Sequence, residues 1–508
     1  MFNKLPVFLI ILTSWLLTAC QADLLTPPRL ATATAQALAT PTATAEPLIF
    51  RSEAAAPPTP AANTASDTTG SRPVLNVWVP ETSDAHGKML RQMADGFGET
   101  HNVTVEMVQI APASLPKLVN TAVLSGTLPD IVIHPIEYTL GWEARGILDA
   151  DAAAASLQQL DPTTFDPVAL NLVDADGQPA ALPSDGFKQL VIYRQDWFSD
   201  RSLAPPDSYA ALRAAAETLL DRQALVAGFV VPTESNLVST HQIFEHLALA
   251  NGCDLIDDQG EVQILQPACQ EALNFYFSII NQFSPLGVQT DTSTRNAYLS
   301  GRAGLIMSPP SILPALAGLE DTTTCAECVN QADFLARNSA FVTQVAGPGG
   351  NTAAFSKLTY LGITSVAERE TAVLFANYWF NEGYETWLAV ESERKVPLRW
   401  GTAGSPRQHI DAWGTRPLAN STDSLTDLYG AETVALLRDD IASSPRWGIA
   451  QNQGPLITEL YESLTLSVVL QEMLSGYFNT TKTLTEIYTR VTDLIPNYAY
   501  YPEPTPES

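Results

Sequence analysis

The chain has 508 residues and a formal net charge of −28, from 27 lysines and arginines against 55 aspartates and glutamates. So large an acidic excess excludes nucleic acid and flat anionic membranes as expected partners, since both need a basic surface. The stretch from residue 73 to about 500 exceeds one ordinary hydrophobic core and predicts two or three domains or lobes.

The first twenty residues predict an export signal. Lys4 supplies a positive start, and residues 7–17 form a mostly apolar run that is shorter than the ~20 residues of a membrane-spanning helix. Small residues then lead to Cys20, and this arrangement resembles a bacterial lipobox, in which the signal 1–19 is removed and the cysteine carries lipid. An ordinary secretory signal and an uncleaved anchor are the alternatives. The pattern favours an exported protein lipidated at Cys20 and anchored to the outer face of the cytoplasmic membrane, in the cell envelope.

Residues 20–72 comprise the lipidated cysteine and a segment rich in Ala, Thr, Pro and Ser. Few large apolar side chains are available there, so the segment cannot bury enough surface to offset its ordering entropy. We therefore expect a disordered tether that holds a folded domain away from the lipid. Residues 501–508 are expected to form a disordered tail.

Beyond the tether, short apolar runs alternate with segments of helical periodicity. The predicted strands cover 74–79, 103–107, 131–133, 190–193, 229–231 and 304–307. The predicted helices cover 88–99, 115–124, 209–219, 241–251, 268–283 and 368–381. This alternation predicts an α/β fold with parallel-rich sheets, helices on both faces and a ligand site at the carboxyl ends of the strands. For 401–450 we expect polar loops and short helices.

Four cysteines remain apart from Cys20: Cys253, Cys269, Cys325 and Cys328. An even number in an exported chain favours disulfides, and of the three possible pairings we favour Cys253–Cys269 and Cys325–Cys328. A zinc site is a weaker alternative because no second CxxC and no paired histidine accompany the CxxC at 325–328. A redox-active CxxC would need a preceding strand, which residues 321–324 do not supply.

A series of motifs along the chain carries a family resemblance. They occupy 75–80, 125–132 (Ser-Gly-Thr-Leu-Pro-Asp-Ile-Val), 146–149, 182–183 with 190–198, 251–276, 298–307, 347–350 and 396–399. In order and spacing, these motifs resemble the extracellular solute-binding proteins, family 1, a group that includes the maltose-binding-protein-like sugar-binding lipoproteins of ABC transporters. The resemblance covers essentially all of 73–495.

The resemblance implies a two-lobed, type II periplasmic-binding-protein-like fold with a ligand cleft between the lobes. Carried onto this chain, lobe 1 comprises 73–185 with 303–355, and lobe 2 comprises 188–300 with 360–500. The strands that cross between the lobes are expected near 183–190, 300–304 and 353–361.

The resemblance also implies a function. The chain would be the substrate-binding lipoprotein of an ABC importer, capturing an extracellular carbohydrate by hinge closure and delivering it to the permease subunits. It would be a monomer and not an enzyme, with no metal, cofactor or nucleic acid. The alternatives are a solute sensor for a signalling system and, less favoured, an envelope hydrolase, whose paired carboxylates would be easy to find in so acidic a chain.

Twelve positions are candidate ligand contacts from their places in the family pattern. They are Trp78, Glu81, Thr82, Ser83, His134, Glu137, Tyr138, Glu234, Asn236, Ser308, Tyr360 and Trp400. Tyr360 and Trp400 are the expected stacking platforms, since sugar rings lay apolar faces on aromatic rings. Alternatively, Trp78 is a core residue of its strand, and His134 is an ordinary buried polar residue. At Ser308 the sequence continues Ser-Pro-Pro-Ser, where sugar-binding members usually place Gly and Trp, so the resemblance covers the architecture but not this aromatic position.

Overall fold

The computed structural model describes residues 48–51, 72–320, 322 and 325–496. The signal 1–19, Cys20, most of the tether and the tail 501–508 lie outside the described residues. One short part of the tether differs from the prediction: residues 48–51 form a strand that pairs antiparallel with residues 106–109. The edge of a sheet leaves backbone N–H and C=O groups unpaired, and pairing with an added strand satisfies them.

The strands, in chain order, are β1 (Leu48–Arg51), β2 (Val74–Val79), β3 (Thr104–Gln109), β4 (Ile131–Pro135), β5 (Asp174–Ala175), β6 (Gln178–Pro179), β7 (Leu182–Lys188), β8 (Leu190–Arg194), β9 (Ala227–Val230), β10 (Ala303–Ser308), β11 (Ser339–Val342), β12 (Gln344–Ala346), β13 (Thr352–Ala354), β14 (Ser356–Ile363) and β15 (Val396–Pro397).

The α-helices are α1 (Asp84–His101), α2 (Leu115–Ser125), α3 (Thr139–Ala144), α4 (Ala150–Leu160), α5 (Pro167–Asn171), α6 (Gln195–Asp200), α7 (Tyr209–Leu219), α8 (Val238–Ala250), α9 (Pro267–Phe283), α10 (Asp291–Leu299), α11 (Leu313–Leu316), α12 (Phe334–Asn338), α13 (Arg369–Asn381), α14 (Tyr384–Leu388), α15 (Gln408–Ala412), α16 (Leu425–Arg438), α17 (Gly454–Ser463), α18 (Thr465–Leu474) and α19 (Thr480–Leu494). Every strand and helix predicted above has its counterpart here, so those predictions are confirmed.

Local sequence signals explain where several helices begin and end. The Ser83 hydroxyl accepts a hydrogen bond from the His86 N–H at 3.3 Å and caps α1, which supplies a partner to an N–H that the helix cannot bond. Gly126 ends α2 in a left-handed conformation, with φ of 68°, where a residue with a Cβ would be strained. Along β2, burial alternates from residue to residue, as expected when one face of a strand packs on a core.

The structure contains two main sheets. The larger has seven strands in the order β1-β3-β2-β4-β14-β7-β15, and the smaller has four in the order β11-β8-β10-β9. β2 is parallel to β3 and β4, whereas β14 is antiparallel to β4 and β7. The sheets are therefore mixed rather than parallel-rich, but the α/β class is confirmed. Among the described residues, no helix is long and apolar enough to cross a membrane.

The chain first passes from one sheet to the other at Gln189. β7 ends at Lys188 in the seven-stranded sheet, and β8 begins at Leu190 in the four-stranded sheet, which agrees with the crossing expected near 183–190. The return passage runs from the end of β11 to the start of β14, close to the one expected near 353–361.

The crossing predicted near 300–304 is wrong. β10 pairs parallel with β9 and antiparallel with β8, so the chain stays in the four-stranded sheet there. Every residue of β10 is buried, and an apolar run of this kind shows that a strand is internal without showing which sheet contains it. The assignment of 303–355 to lobe 1 fails for the same reason, because β10 and β11 lie beside β8.

The assignment of 360–500 to lobe 2 also needs correction. β14 and β15 belong to the seven-stranded sheet, and α13 packs near α1, where Phe375 meets Phe97 edge-on with ring centroids 5.0 Å apart. Further along, α18 and α19 pack near α8 and α9. The chain after β14 thus contributes elements that pack with both sheets. Within 401–450, α16 is longer than the short helices expected, although Gly430 interrupts it with φ of 80°.

Candidate functional site

A cleft of about 300 Å³ opens where strands of the seven-stranded sheet approach elements around the four-stranded sheet. One wall comes from the loops after β2 and β4 and from β7 and β14. The facing wall comes from the end of β10 and the first residues of α8 and α10. Segments that follow β2, β4 and β10 meet here because the carboxyl ends of these strands point to the cleft, the usual place for a ligand in α/β sheets.

An ion-pair cluster lies on the wall after β2. Glu81 accepts a hydrogen bond from Arg394 at 2.5 Å, and Arg394 also pairs with Glu391 at 2.6 Å. Glu81 and Arg394 both line the cleft. The guanidinium holds two carboxylates at once, so this wall carries a fixed array of hydrogen-bonding groups.

Asp185 of β7 lies beside that cluster and is buried. Its Oδ2 accepts hydrogen bonds from the Trp387 indole N–H and the Ser184 hydroxyl, both at 2.6 Å. Burial raises the pKa of the Asp185 carboxyl, and the positive charge of Lys395 opposes that rise. Burial lowers the pKa of Lys395 to about 8. These groups hold the carboxylate in one orientation at the edge of the cleft.

Glu81, His86 and Glu391 are a possible cation-binding group, since one ligand atom from each lies within 4.8 Å of the others. Two positive charges already occupy the surroundings. Arg394 binds both carboxylates, and Lys395 Nζ lies 3.0 Å from His86 Nε2. A metal ion here would have to overcome both cations, so this cluster is better described as structural.

A buried network of hydrogen bonds and ion pairs lies beneath the floor of the cleft. Arg446 Nε donates to Glu245 Oε1 at 2.9 Å, and Tyr461 donates to Glu245 Oε2 at 2.9 Å. The same guanidinium lies 4.4 Å from the Phe355 ring centroid and 3.9 Å from Glu137 Oε2. Glu137 and Phe355 line the cleft, so Arg446 supports them from beneath.

Four of the candidate ligand contacts line this cleft: Glu81, Glu137, Tyr138 and Asn236. Asn236 is exposed, whereas Glu137 and Tyr138 are buried. Tyr138 stacks on Trp142 with ring centroids 5.0 Å apart. The structure thus brings together the loops after β2 and β4 and the segment before α8.

The other candidates do not line it: Trp78, Thr82, Ser83, His134, Glu234, Ser308, Tyr360 and Trp400. Tyr360, expected as a stacking platform, is fully buried, and its hydroxyl donates to the Ala169 carbonyl at 2.9 Å. His134 is fully buried between Trp142 and Tyr360. Both side chains belong to the core of the seven-stranded sheet.

The remaining candidates that do not line the cleft have local structural roles or lie elsewhere. Ser83 caps α1, and Ser308 bonds the neighbouring Pro309 carbonyl at 3.3 Å. Trp400 lies under Arg407, with 5.9 Å between the guanidinium carbon and the ring centroid. Trp78 is half-buried and packs on the hydrophobic core.

Several cleft residues were not predicted: Phe187, Gln242, Asp291, Lys357 and Arg394. Phe187 is half-buried, and its position inside the predicted crossing could have suggested it, because a crossing strand lies behind the cleft. Lys357 and Asp291 come from opposite walls, on β14 and at the start of α10. No local sequence signal marks that pair.

Both favoured cysteine pairs lie at disulfide-bonding distance, Cys253 with Cys269 and Cys325 with Cys328. The first joins the segment after α8 to the first turn of α9. Neither pair lines the cleft.

Comparison with known proteins agrees with this architecture. The family model for bacterial extracellular solute-binding proteins matches residues 92–390. A curated relative from Escherichia coli (strain K12), named "Putative ABC transporter periplasmic-binding protein YcjN", is 23% identical over 306 residues, which is 59% of this chain and 67% of that protein.

Solved structures also resemble the chain at 16% identity. Maltose-bound T. maritima MalE3 has a TM-score of 0.61 and covers 83% of this chain and 100% of its own. A sugar transporter from Arthrobacter chlorophenolicus A6 with bound laminaribiose has a TM-score of 0.66 and covers 84% of this chain and 99% of its own. A solute-binding protein from Agrobacterium radiobacter K84 in complex with ribitol has a TM-score of 0.64 and covers 84% of this chain and 99% of its own. The chain therefore belongs to the bacterial extracellular solute-binding proteins and has their two-lobed, type II periplasmic-binding-protein fold.

Proposed function

We propose that this protein is the substrate-binding subunit of an ABC importer and captures a carbohydrate by closure of its two lobes. The observation that carries the proposal is the cleft, which takes polar groups from both walls and lies beside the two passages between the sheets. A ligand that contacts both walls binds the closed form more tightly than the open one, and this difference in affinity drives closure.

The side chains in the cleft support a polyhydroxylated solute. Carboxylates, amides and cations all line it, so both hydrogen-bond donors and acceptors are available to ligand hydroxyls. Half-buried Phe187 and the residues Leu237 and Val238 supply apolar surface, against which a sugar ring can pack. The structural relatives described above hold maltose, laminaribiose and ribitol, which supports the same class.

The cleft carboxylates favour binding without covalent chemistry. Glu81 is paired with Arg394, and Asp185 accepts hydrogen bonds from Trp387 and Ser184. Side chains that are held by fixed partners in this way can position a ligand through hydrogen bonds. We propose that the solute leaves the protein unchanged.

The N-terminal sequence completes the proposal. Lipidation at Cys20 would tether the protein to the outer face of the cytoplasmic membrane as a monomer, beside its permease partners. A tether raises the local concentration of a captured solute at the permease. Replacing Cys20 with serine should release the protein from membranes, and continued membrane association of the serine variant would contradict lipidation.

Thermal unfolding in the presence of candidate solutes tests the function. We expect a mono- or oligosaccharide or a polyol to raise the melting temperature, because a ligand that binds only the folded state stabilises it. Peptides and polyamines serve as comparison pools, and recovery of the bound sugar unchanged separates binding from hydrolysis. The carbohydrate assignment fails if only a comparison pool stabilises the folded protein.

A matched pair of variants locates the site. Asn236→Ala removes an exposed polar side chain from the cleft wall and should weaken binding. Glu432→Gln changes an exposed charge on α16 outside the cleft and should leave binding unchanged. Equal losses in both variants would show that the solute binds elsewhere.

A further inference from the structure

We infer that the cleft takes neutral or cationic polyhydroxylated solutes and discriminates against anionic ones, such as uronic acids, aldonic acids and sugar phosphates. This inference rests on the proposed function, because it assigns a charge class to the solute of the same cleft.

The charged lining is predominantly acidic. Four carboxylates and two cations line the cleft. The carboxylates are those of Glu81, Glu137, Asp185 and Asp291, and the cations are those of Lys357 and Arg394. An anionic ligand needs a cation that is free to bind it, so the partners of the two cations decide the question.

Arg394 already binds two carboxylates. Its Nη2 lies 2.5 Å from Glu81 and its Nε 2.6 Å from Glu391. An incoming carboxylate or phosphate would have to displace one of them and leave it without a partner in a partly buried site. Breaking such a pair is unfavourable because the remaining charge is poorly solvated.

Lys357 on β14 and Asp291 at the start of α10 line the cleft from opposite walls. Burial raises the pKa of the Asp291 carboxyl, while the Ser239 hydroxyl and the charge of Lys357 oppose that rise. An anion drawn to Lys357 would therefore meet Asp291 as well. The positive charge of Lys357 is thus opposed by a carboxylate across the same cleft.

The cations beneath the surface are also engaged. Lys395 lies behind Asp185 and bonds the Trp387 carbonyl at 2.9 Å, while Arg446 lies behind Glu137 and pairs with Glu245. Both are buried, so a ligand in the cleft cannot replace their partners without unfolding the floor. They hold the carboxylates in place and do not provide an anion site.

The charge of the whole chain acts in the same direction. A formal net charge of −28 repels an approaching anion and attracts a cation until salt screens the field, over a distance of about 10 Å at 0.1 M ionic strength. Hydroxyl and ammonium groups can donate hydrogen bonds to carboxylate oxygens, whereas a carboxylate or a fully ionised phosphate cannot. Local contacts and the overall field thus favour the same ligand class.

Binding of sugars matched in size but different in charge tests the inference. The first series is glucose, glucosamine and glucuronate, and the second is maltose, the glucosamine disaccharide and maltobionate. Calorimetry on the full chain should show that the acidic member of a series binds at least tenfold more weakly than the neutral or amino member. Added salt should reduce the difference in affinity between the acidic and the neutral sugar, because salt screens charge.

The possible results separate the two proposals. Tight binding of glucuronate or maltobionate, equal to or better than that of the neutral sugar, overturns the charge inference and leaves the carbohydrate function standing. If no sugar in either series binds while the folded protein binds a non-carbohydrate pool, the carbohydrate function and this inference both fail.

A charge variant gives a second readout. Asp291→Asn removes the carboxylate that lies across the cleft from Lys357 and should raise the affinity for the acidic sugar relative to the neutral sugar several-fold. Glu432→Gln removes one charge of the same sign on exposed α16 and should leave the ratio unchanged. A purely structural role for Asp291 would weaken both sugars together, and that result would overturn its part in charge selection.

Discussion

The backbone N–H of Gln189 donates a hydrogen bond of 2.9 Å to the carbonyl of Phe355. These two residues lie at the two passages of the chain between the seven-stranded and the four-stranded sheets. The bond therefore ties the outgoing passage to the returning one. Both residues line the cleft, so the two passages between the sheets are in direct contact with it.

His246 reinforces that junction and gives the first prediction. It is buried on α8, with Nε2 3.0 Å from the Ala353 carbonyl and Nδ1 3.2 Å from Gln189 Oε1. His246→Leu removes both contacts and should lower the free energy of unfolding by about 1–3 kcal/mol, since it leaves buried polar groups without partners. Urea denaturation measures the loss.

The exposed His101 at the end of α1 is the control for that substitution. His101→Leu should cost less than His246→Leu, because no buried polar group loses a partner there. If the two variants unfold at the same urea concentration, the bridging role of His246 is wrong.

The buried ion pair under the cleft floor gives the second prediction. Arg446→Met leaves the buried Glu245 carboxylate without its cation and should destabilise the fold by about 3–5 kcal/mol. Adding Glu245→Gln to that variant removes the unpaired charge and should recover part of the loss. A double-mutant cycle by chemical denaturation measures the coupling, and purely additive losses would contradict it.

Buried histidines predict the pH dependence of stability. Burial lowers the pKa of His134, His241 and His246 to about 4 each, from an ordinary value of 6.5. As pH falls below 6.5, the unfolded chain gains protons that the folded chain accepts only near pH 4. The free energy of unfolding should therefore decrease, by at most about 1.4 kcal/mol per pH unit for each histidine.

Urea midpoints measured at pH 7, 6 and 5 check this expectation. Burial raises the pKa of Asp185 and Asp291, and such groups change stability in the opposite direction at lower pH. Burial also raises the pKa of the Glu393 carboxyl to about 7, so this group opposes the three histidines between pH 7 and 5. We expect the net change to follow the histidines, because three of them act against one carboxyl in this range. A midpoint that stays constant or rises toward pH 5 would contradict the prediction.

Two aromatic residues distinguish the cleft from the core. Phe187 is half-buried and lines the cleft, so Phe187→Ala should weaken binding of an identified sugar by tenfold or more. Tyr360→Phe removes only a hydroxyl that bonds Ala169 inside the core. This variant should bind sugar normally while losing about 1 kcal/mol of stability. Calorimetry and denaturation together separate the effects, and normal binding by Phe187→Ala would exclude a stacking role for Phe187.

The two disulfides should differ in their contribution to the stability of the folded protein. Cys253 and Cys269 are 16 residues apart in sequence, whereas Cys325 and Cys328 are three apart. Because a longer loop loses more conformational freedom when it is closed, replacing the first pair with serines should cost about 3 kcal/mol and replacing the second pair less. Melting temperatures of the two double variants give the comparison, and a larger loss from the 325–328 pair would reverse the assignment.

The sequence predicted much of the secondary structure because local patterns determine it. The helices α7 and α9 and the strands β2 and β8 follow the spacing of their apolar residues. The loops after β2 and β4, from which candidate ligand contacts were chosen, line the cleft. Tyr360 shows where local information ends. It lies on β14, which enters the seven-stranded sheet between β4 and β7, and that pairing buries its ring.

The sequence by itself determined the acidic character, the α/β class, the family and the cysteine pairs that it favoured, because composition, periodicity and motif order are properties of neighbouring residues. Only the tertiary structure decided which sheet receives β10, where Arg446 supports the floor and that Lys357 and Asp291 line the same cleft. Those relationships join residues 66 or more positions apart in the chain. Contacts of this kind depend on how the strands pair and the helices pack, and no local spacing encodes them.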